Sequence, residues 1–81
     1  MRLFISNMNR FTTMSQVVAL LLPFGIVKSA YLIINAKSGC SSGSALVEME
    51  FNAGKSAIEE LNDLRFMNCF IKVEESYTAN A

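Results

Sequence analysis

The sequence predicts a small α+β domain of order β-α-β-β-α-β, with one four-stranded antiparallel sheet and two helices on a single face. Three observations predict it. Two segments carry apolar residues at helical spacing, and four others are short, β-branched or alternating. Glycine, proline, serine and asparagine punctuate the junctions between them. Finally, 81 residues allow one modest core, burying about 60–65% of the unfolded surface.

The stretch from Ser42 to Phe51 organises the rest. After Gly43 it alternates, so Ala45, Val47 and Met49 face a core while Ser44, Leu46 and Glu48 face away. A firm inner face with a semi-apolar outer face describes a sheet used as a platform. Taken in order, Arg2 to Ser6 forms a first strand, with Leu3 and Ile5 on one side and Arg2 and Phe4 on the other. A polar loop, Asn7 to Phe11, leads to Thr12 or Thr13, either of which can cap the first helix.

That helix has two apolar stripes. Val17, Leu20, Leu21 and Phe24 make one; Met14, Val18 and Leu22 make a second. A single sheet takes only one of them, so the second is expected to face a homodimer partner or another protein, or else to be covered by the 7–12 loop. Pro23 and Gly25 end the helix. Val27 to Ile34 forms the second strand, with Ala30 and Leu32 inward and Ser29, Tyr31 and Ile33 outward.

Asn35 to Gly43 is expected as a flexible connection, followed by the third strand. Asn52 is expected to cap a second helix with Ala57, Ile58 and Leu61 inward, broken at Asn62 and Asp63. Cys69 to Glu74 is expected as one last strand, Ile71 and Val73 inward, Phe70 and Lys72 outward. Residues 1–75 then make the domain, and 76–81 a flexible tail. This order is the split pattern of the ferredoxin-like sandwich, whose sheet leaves its second face open.

Composition narrows the function. The chain is 52% hydrophobic, 17% charged and formally neutral, without the basic excess that draws a protein to phosphates. Two cysteines far apart, Cys40 and Cys69, and no histidine exclude four-ligand zinc and histidine-based catalysis; no cofactor is implied. Gly54-Lys55-Ser56 imitates the end of a phosphate-binding loop, but Met49 stands where that loop needs glycine. The apolar run Val17 to Leu22 is too short to span a bilayer, and free thiols fit a cytoplasmic setting.

At the level of motifs the chain resembles the RNA recognition motif family over nearly its whole length. Leu3-Phe4-Ile5-Ser6-Asn7-Met8 is similar to the family's hexamer, Pro23-Phe24-Gly25-Ile26-Val27 to its helix-to-strand junction, and Ala57-Ile58-Glu59-Glu60-Leu61-Asn62 to the end of its second helix. Ser42 to Met49 occupies the octamer's place in degenerate form. Gly43, Ala45 and Val47 match, whereas Ser42 replaces a basic residue and Ser44 and Leu46 replace aromatics. The resemblance implies non-catalytic binding of single-stranded RNA, with bases stacked on sheet aromatics.

Phe4 would then be the principal stacking residue, with Tyr31 and Phe70 as secondary platforms and Leu46 as an apolar floor. Ser44 and Asn7 would supply hydrogen bonds, and Arg2 and Lys72 phosphate contacts. Loss of two octamer aromatics removes on the order of 2–6 kcal/mol of stacking, so modest affinity is expected. The alternative is a protein-interaction domain that keeps the fold. Ser44, Leu46, the neutral charge and the second helical stripe favour it.

Overall fold

A computed structural model describes residues 1–34 and 41–76. Its main sheet contains β1 (Arg2–Ser6), β2 (Val27–Ile34), β3 (Ser41–Met49) and β6 (Lys72–Glu75), in the spatial order β2-β3-β1-β6. Every neighbouring pair is antiparallel. Helices α1 (Met14–Leu21) and α2 (Phe51–Leu61) connect the strands, and a two-stranded ribbon of β4 (Arg65–Phe66) and β5 (Cys69–Phe70) precedes β6. The ferredoxin-like α+β sandwich expected from the sequence is the fold found.

The core follows from strand alternation. Leu3 and Ile5 of β1, Ala45, Val47 and Met49 of β3, Val73 of β6 and Ile71 just before it are all buried. Val17 and Leu21 of α1 and Ala53, Ala57 and Leu61 of α2 close the same cluster. In β2, a bulge sets Val27 opposite Met49 but Ser29 opposite Glu48, leaving Lys28 as the extra residue. The alternation therefore shifts by one, and Val27 joins Ala30 and Leu32 against the core.

Two glycines are demanded by close approach. Gly43 has φ of +81°, and a Cβ there would meet the Met8 carbonyl oxygen at 2.7 Å. The same contact carries a hydrogen bond, Met8 N–H to Gly43 oxygen at 2.9 Å. At Gly25, a Cβ would lie 2.7 Å from the Ala53 methyl, where the α1 exit packs on the start of α2.

The helix ends are capped by side chains. Thr13 accepts from the Gln16 N–H, and Gln16 in turn accepts from the Thr13 N–H, a reciprocal capping box. Helix α2 is capped by Glu50 rather than by Asn52, which lies inside the first turn. The Glu50 carboxylate accepts from the Ala53 N–H at 2.9 Å. Bonds from the Ala53 and then the Asn52 amide hold its pKa below the usual carboxylate value. Glu50 wins because β3 runs to Met49, so the first helical residue is Phe51.

Other boundaries differ from the sequence reading. Strand β3 begins at Ser41, inside the segment expected as a connection; 35–40, including Cys40, lie outside the described residues. The last strand is not continuous from Cys69 to Glu74. Cys69 and Phe70 pair with Phe66 and Arg65, and only Lys72 to Glu75 joins β1. Met67 and Asn68, both at positive φ, make the two-residue turn whose twist closes that ribbon. Of the expected tail, Ser76 donates its N–H to the Arg2 oxygen at 2.8 Å, extending the sheet edge; 77–81 lie outside the described residues.

The second stripe of α1 does not stay together. Pro23 has no N–H to continue the helix, so the chain tightens into a 3₁₀ turn over Leu22–Phe24, although the Leu22 N–H still bonds the Val18 oxygen as in the helix. Leu22 is left exposed, Val18 half-buried, and Met14 packs against the core.

Around β1 the 7–12 loop docks on the ribbon. Asn9 Nδ2 donates to the Met67 oxygen at 3.2 Å, and Thr12 Oγ1 approaches Met67 Sδ at 3.4 Å. Asn7, at φ of +60°, donates Nδ2 to the Phe70 oxygen at 2.7 Å.

Two outcomes follow from this closure. Gly43→Ala combines a left-handed backbone with a contact to the Met8 carbonyl, and is expected to cost about 2 kcal/mol or more in urea unfolding. Asn7→Ala removes the Phe70 bond and leaves alanine at positive φ; a loss of about 1–2 kcal/mol is expected in the same measurement.

Candidate nucleic-acid interface

The face of the sheet away from the helices carries the outward half of each strand's alternation. Register aligns these side chains into rows. Phe4 of β1 stands opposite Leu46 of β3 on one side and Glu74 of β6 on the other. Leu46 in turn stands opposite Tyr31 of β2. One row thus reads Tyr31, Leu46, Phe4, Glu74 across all four strands. Arg2 and Ser29 both face Glu48 in the next row. Ile33 lies opposite Ser44, and Ser6 opposite Lys72.

Burial grades along the central row. Phe4 and Leu46 are half-buried, although neither belongs to the core or packs on it from outside. Tyr31, near the edge, is 55% exposed. Two adjoining apolar side chains on central strands, with a tyrosine beside them, form an apolar strip against which a planar ring can pack. The aromatic content is Phe4 and Tyr31, with Leu46 supplying contact but no π-face.

The remaining residues singled out by sequence are dispersed. Phe70 is exposed but belongs to β5, not the main sheet, so its ring is not in the Tyr31–Leu46–Phe4 row. Its carbonyl takes the Asn7 amide, so Asn7 braces the ribbon against the end of β1. The Lys72 ammonium pairs with Asp63, both side chains more than half exposed. Ser44 is half-buried in β3, and the side chain of Ser42 is outside the described residues. Arg2, exposed, stands beside the central row.

Sequence reasoning missed a cavity. A hollow of about 100 Å³ opens on this face between β2, β3 and β1, lined by Arg2, Ser29, Tyr31, Leu46, Glu48 and Ser76. Glu48 was legible only as an outward strand residue; its company depends on the cross-strand register and on Ser76. Phe11, 70% exposed with the Arg10 guanidinium 4.9 Å from its ring centre, also lay unsingled in the loop. Among the described residues no group of three or more acidic or cysteine side chains could hold a metal ion. No helix among them is long and apolar enough to cross a membrane.

Comparison with known proteins bears on this face. Curated protein sequences give no significant match. Among solved structures, RNA-binding protein PG1 is 33% identical, with 95% of this chain and 94% of that one covered at a TM-score of 0.91. The Rna15 RRM with bound RNA (GU) shares the fold at 21% identity, covering 99% and 86% of the two chains with a TM-score of 0.86. The Sxl-lethal protein in complex with RNA does so at 24% identity, covering 93% of this chain and 46% of that one, with a TM-score of 0.85. The family model for the RNA recognition motif matches residues 3–72, from the hexamer in β1 to the first residue of β6, and the chain belongs to that family.

Proposed function

We propose that this domain binds single-stranded RNA, without catalysis, on the open face of its sheet. The observation that carries the reading is the row Tyr31, Leu46, Phe4, in which an apolar strip lies across central strands and is left uncovered by the helices. Family membership supports it, as do relatives whose structures contain RNA. Single strands suit such a surface because only unstacked bases can lie flat on aromatic rings.

Affinity is modest in this reading, for two reasons. Leu46 replaces a ring, and Glu48 and Glu74 stand on the face of a formally neutral chain, so few phosphates are neutralised. Lys72 contributes only by exchanging Asp63 for phosphate. A cytoplasmic setting belongs to the same reading, supported by Cys69, a free thiol of the kind a reducing compartment keeps.

An amide-shift titration with short random-sequence RNA tests the reading. Shifts should map to β1, β3 and the adjoining part of β2, and Phe4→Ala should weaken binding roughly ten-fold, the equivalent of one lost stack. Leu46→Phe should strengthen it by about the same factor, since it restores a ring. Absence of shifts at millimolar RNA would overturn the proposal.

A second reading, contact with another protein or a second copy, is favoured by a different observation. Leu22 and Phe51, each 56% exposed, and Ile26, 80% exposed, flank the Gly25–Ala53 contact at one end of the molecule. Leu22 is the member of the Met14, Val18, Leu22 stripe that this surface retains. Under self-association the sedimentation coefficient rises with concentration and Ile26→Glu abolishes the rise; a concentration-independent monomer removes the homodimer.

A further inference from the structure

We infer that the cavity beside Tyr31 is a guanine-selective pocket in which the Glu48 carboxylate reads the Watson–Crick edge of the base. The inference rests on the RNA-binding reading above and adds a specificity to it. Glu48 is half-buried on a central strand, and among the described residues its carboxylate has no hydrogen-bond or ion-pair partner. It does not serve general RNA affinity, because a negative charge at the middle of the face repels phosphates. A carboxylate in that position becomes favourable when a ligand brings donors to it.

The chemistry of the bases then selects one. An ionised carboxylate only accepts, through two oxygens set side by side. Guanine offers two adjacent donors, N1–H and the 2-amino group, that fit a bidentate contact. Cytosine and adenine each offer one amino group next to a ring acceptor, and uracil offers one N–H between two carbonyls, so each sets a lone pair against the carboxylate.

The other walls suit the same base. Arg2 lines the cavity with a five-donor guanidinium, the group that pairs with guanine O6 and N7. Tyr31 and Leu46 give it apolar sides for the ring, and the Ser29 side chain gives it a small polar margin. The pocket adjoins the Tyr31–Leu46–Phe4 row, so a base held there leaves Phe4 open to its neighbour.

Fluorescence anisotropy with labelled pentamers UUXUU, where X is G, A, C, U or inosine, tests this. Guanine is expected to bind roughly ten-fold tighter than A, C or U. Inosine, which lacks the 2-amino donor, should lose most of that advantage. Glu48→Gln should narrow the guanine preference to about three-fold while strengthening the other pentamers, because one oxygen acceptor and the negative charge are lost.

Equal binding of all five pentamers overturns the pocket and leaves the RNA reading standing, as does an undiminished guanine preference in a Glu48→Gln variant with native amide dispersion. Binding to none of them overturns both. The inosine comparison uses the unaltered chain, so it decides even where the variant does not fold.

Discussion

The pairing of β1 with β3 in one register is the constraint on which the rest depends. That ladder sets Leu3 against Val47 and Ile5 against Ala45 within the core, and in the same stroke sets Phe4 against Leu46 outside it. A slip by one residue would exchange the two faces. Both ends of the pair are fastened. At one end Met1 and Met49 exchange backbone bonds of 2.8 and 2.9 Å; at the other Met8 bonds Gly43. The octamer glycine is therefore a fold residue first. Its left-handed backbone lets the entry to β3 come close enough to Met8 to lock the register.

What that register exposes is a compromise between stacking and charge. The central row is apolar, whereas carboxylates flank it at Glu48 and Glu74. On a sheet meant only to hold a polyanion these acids would be counterproductive. On a sheet that selects among bases, a carboxylate is an acceptor few bases satisfy, and lost general affinity becomes discrimination. The replacement of an aromatic by Leu46 acts in the same direction, because stacking is tolerant of sequence while edge contacts are not.

The helical layer is fastened at its ends as well as through the core. Thr13 with Gln16 fixes the start of α1, and Glu50 fixes the start of α2 immediately after β3. The far end of α2 is strapped to the last strand: Asn62 Oδ1 accepts from the Val73 N–H at 3.0 Å, and Asp63 N–H reaches the Ile71 oxygen at 2.8 Å. The Lys72–Asp63 pair lies over that strap and, being solvent-exposed, contributes little to stability. Its effect is to engage the cation that sequence alone offers to phosphate.

Sequence by itself determined the layers, since period-two alternation in β1 and β3 and the 3.6 period in α2 sort residues inward or outward before any contact is made. It also marked Thr12 or Thr13 as a cap (the structure chose Thr13), Phe4 as an outward ring and the loss of aromatics at Ser44 and Leu46. Tertiary structure decided what depends on partners distant in the chain. Asn7 became a brace because Phe70 is brought beside it, and the packing of the helix on the sheet put Met14 against the core while leaving Leu22 exposed. Glu48 acquired Arg2, Tyr31 and Ser76 as company only when three strands and the chain past β6 met. Alternation is a property of a single strand, whereas a pocket belongs to the register between strands.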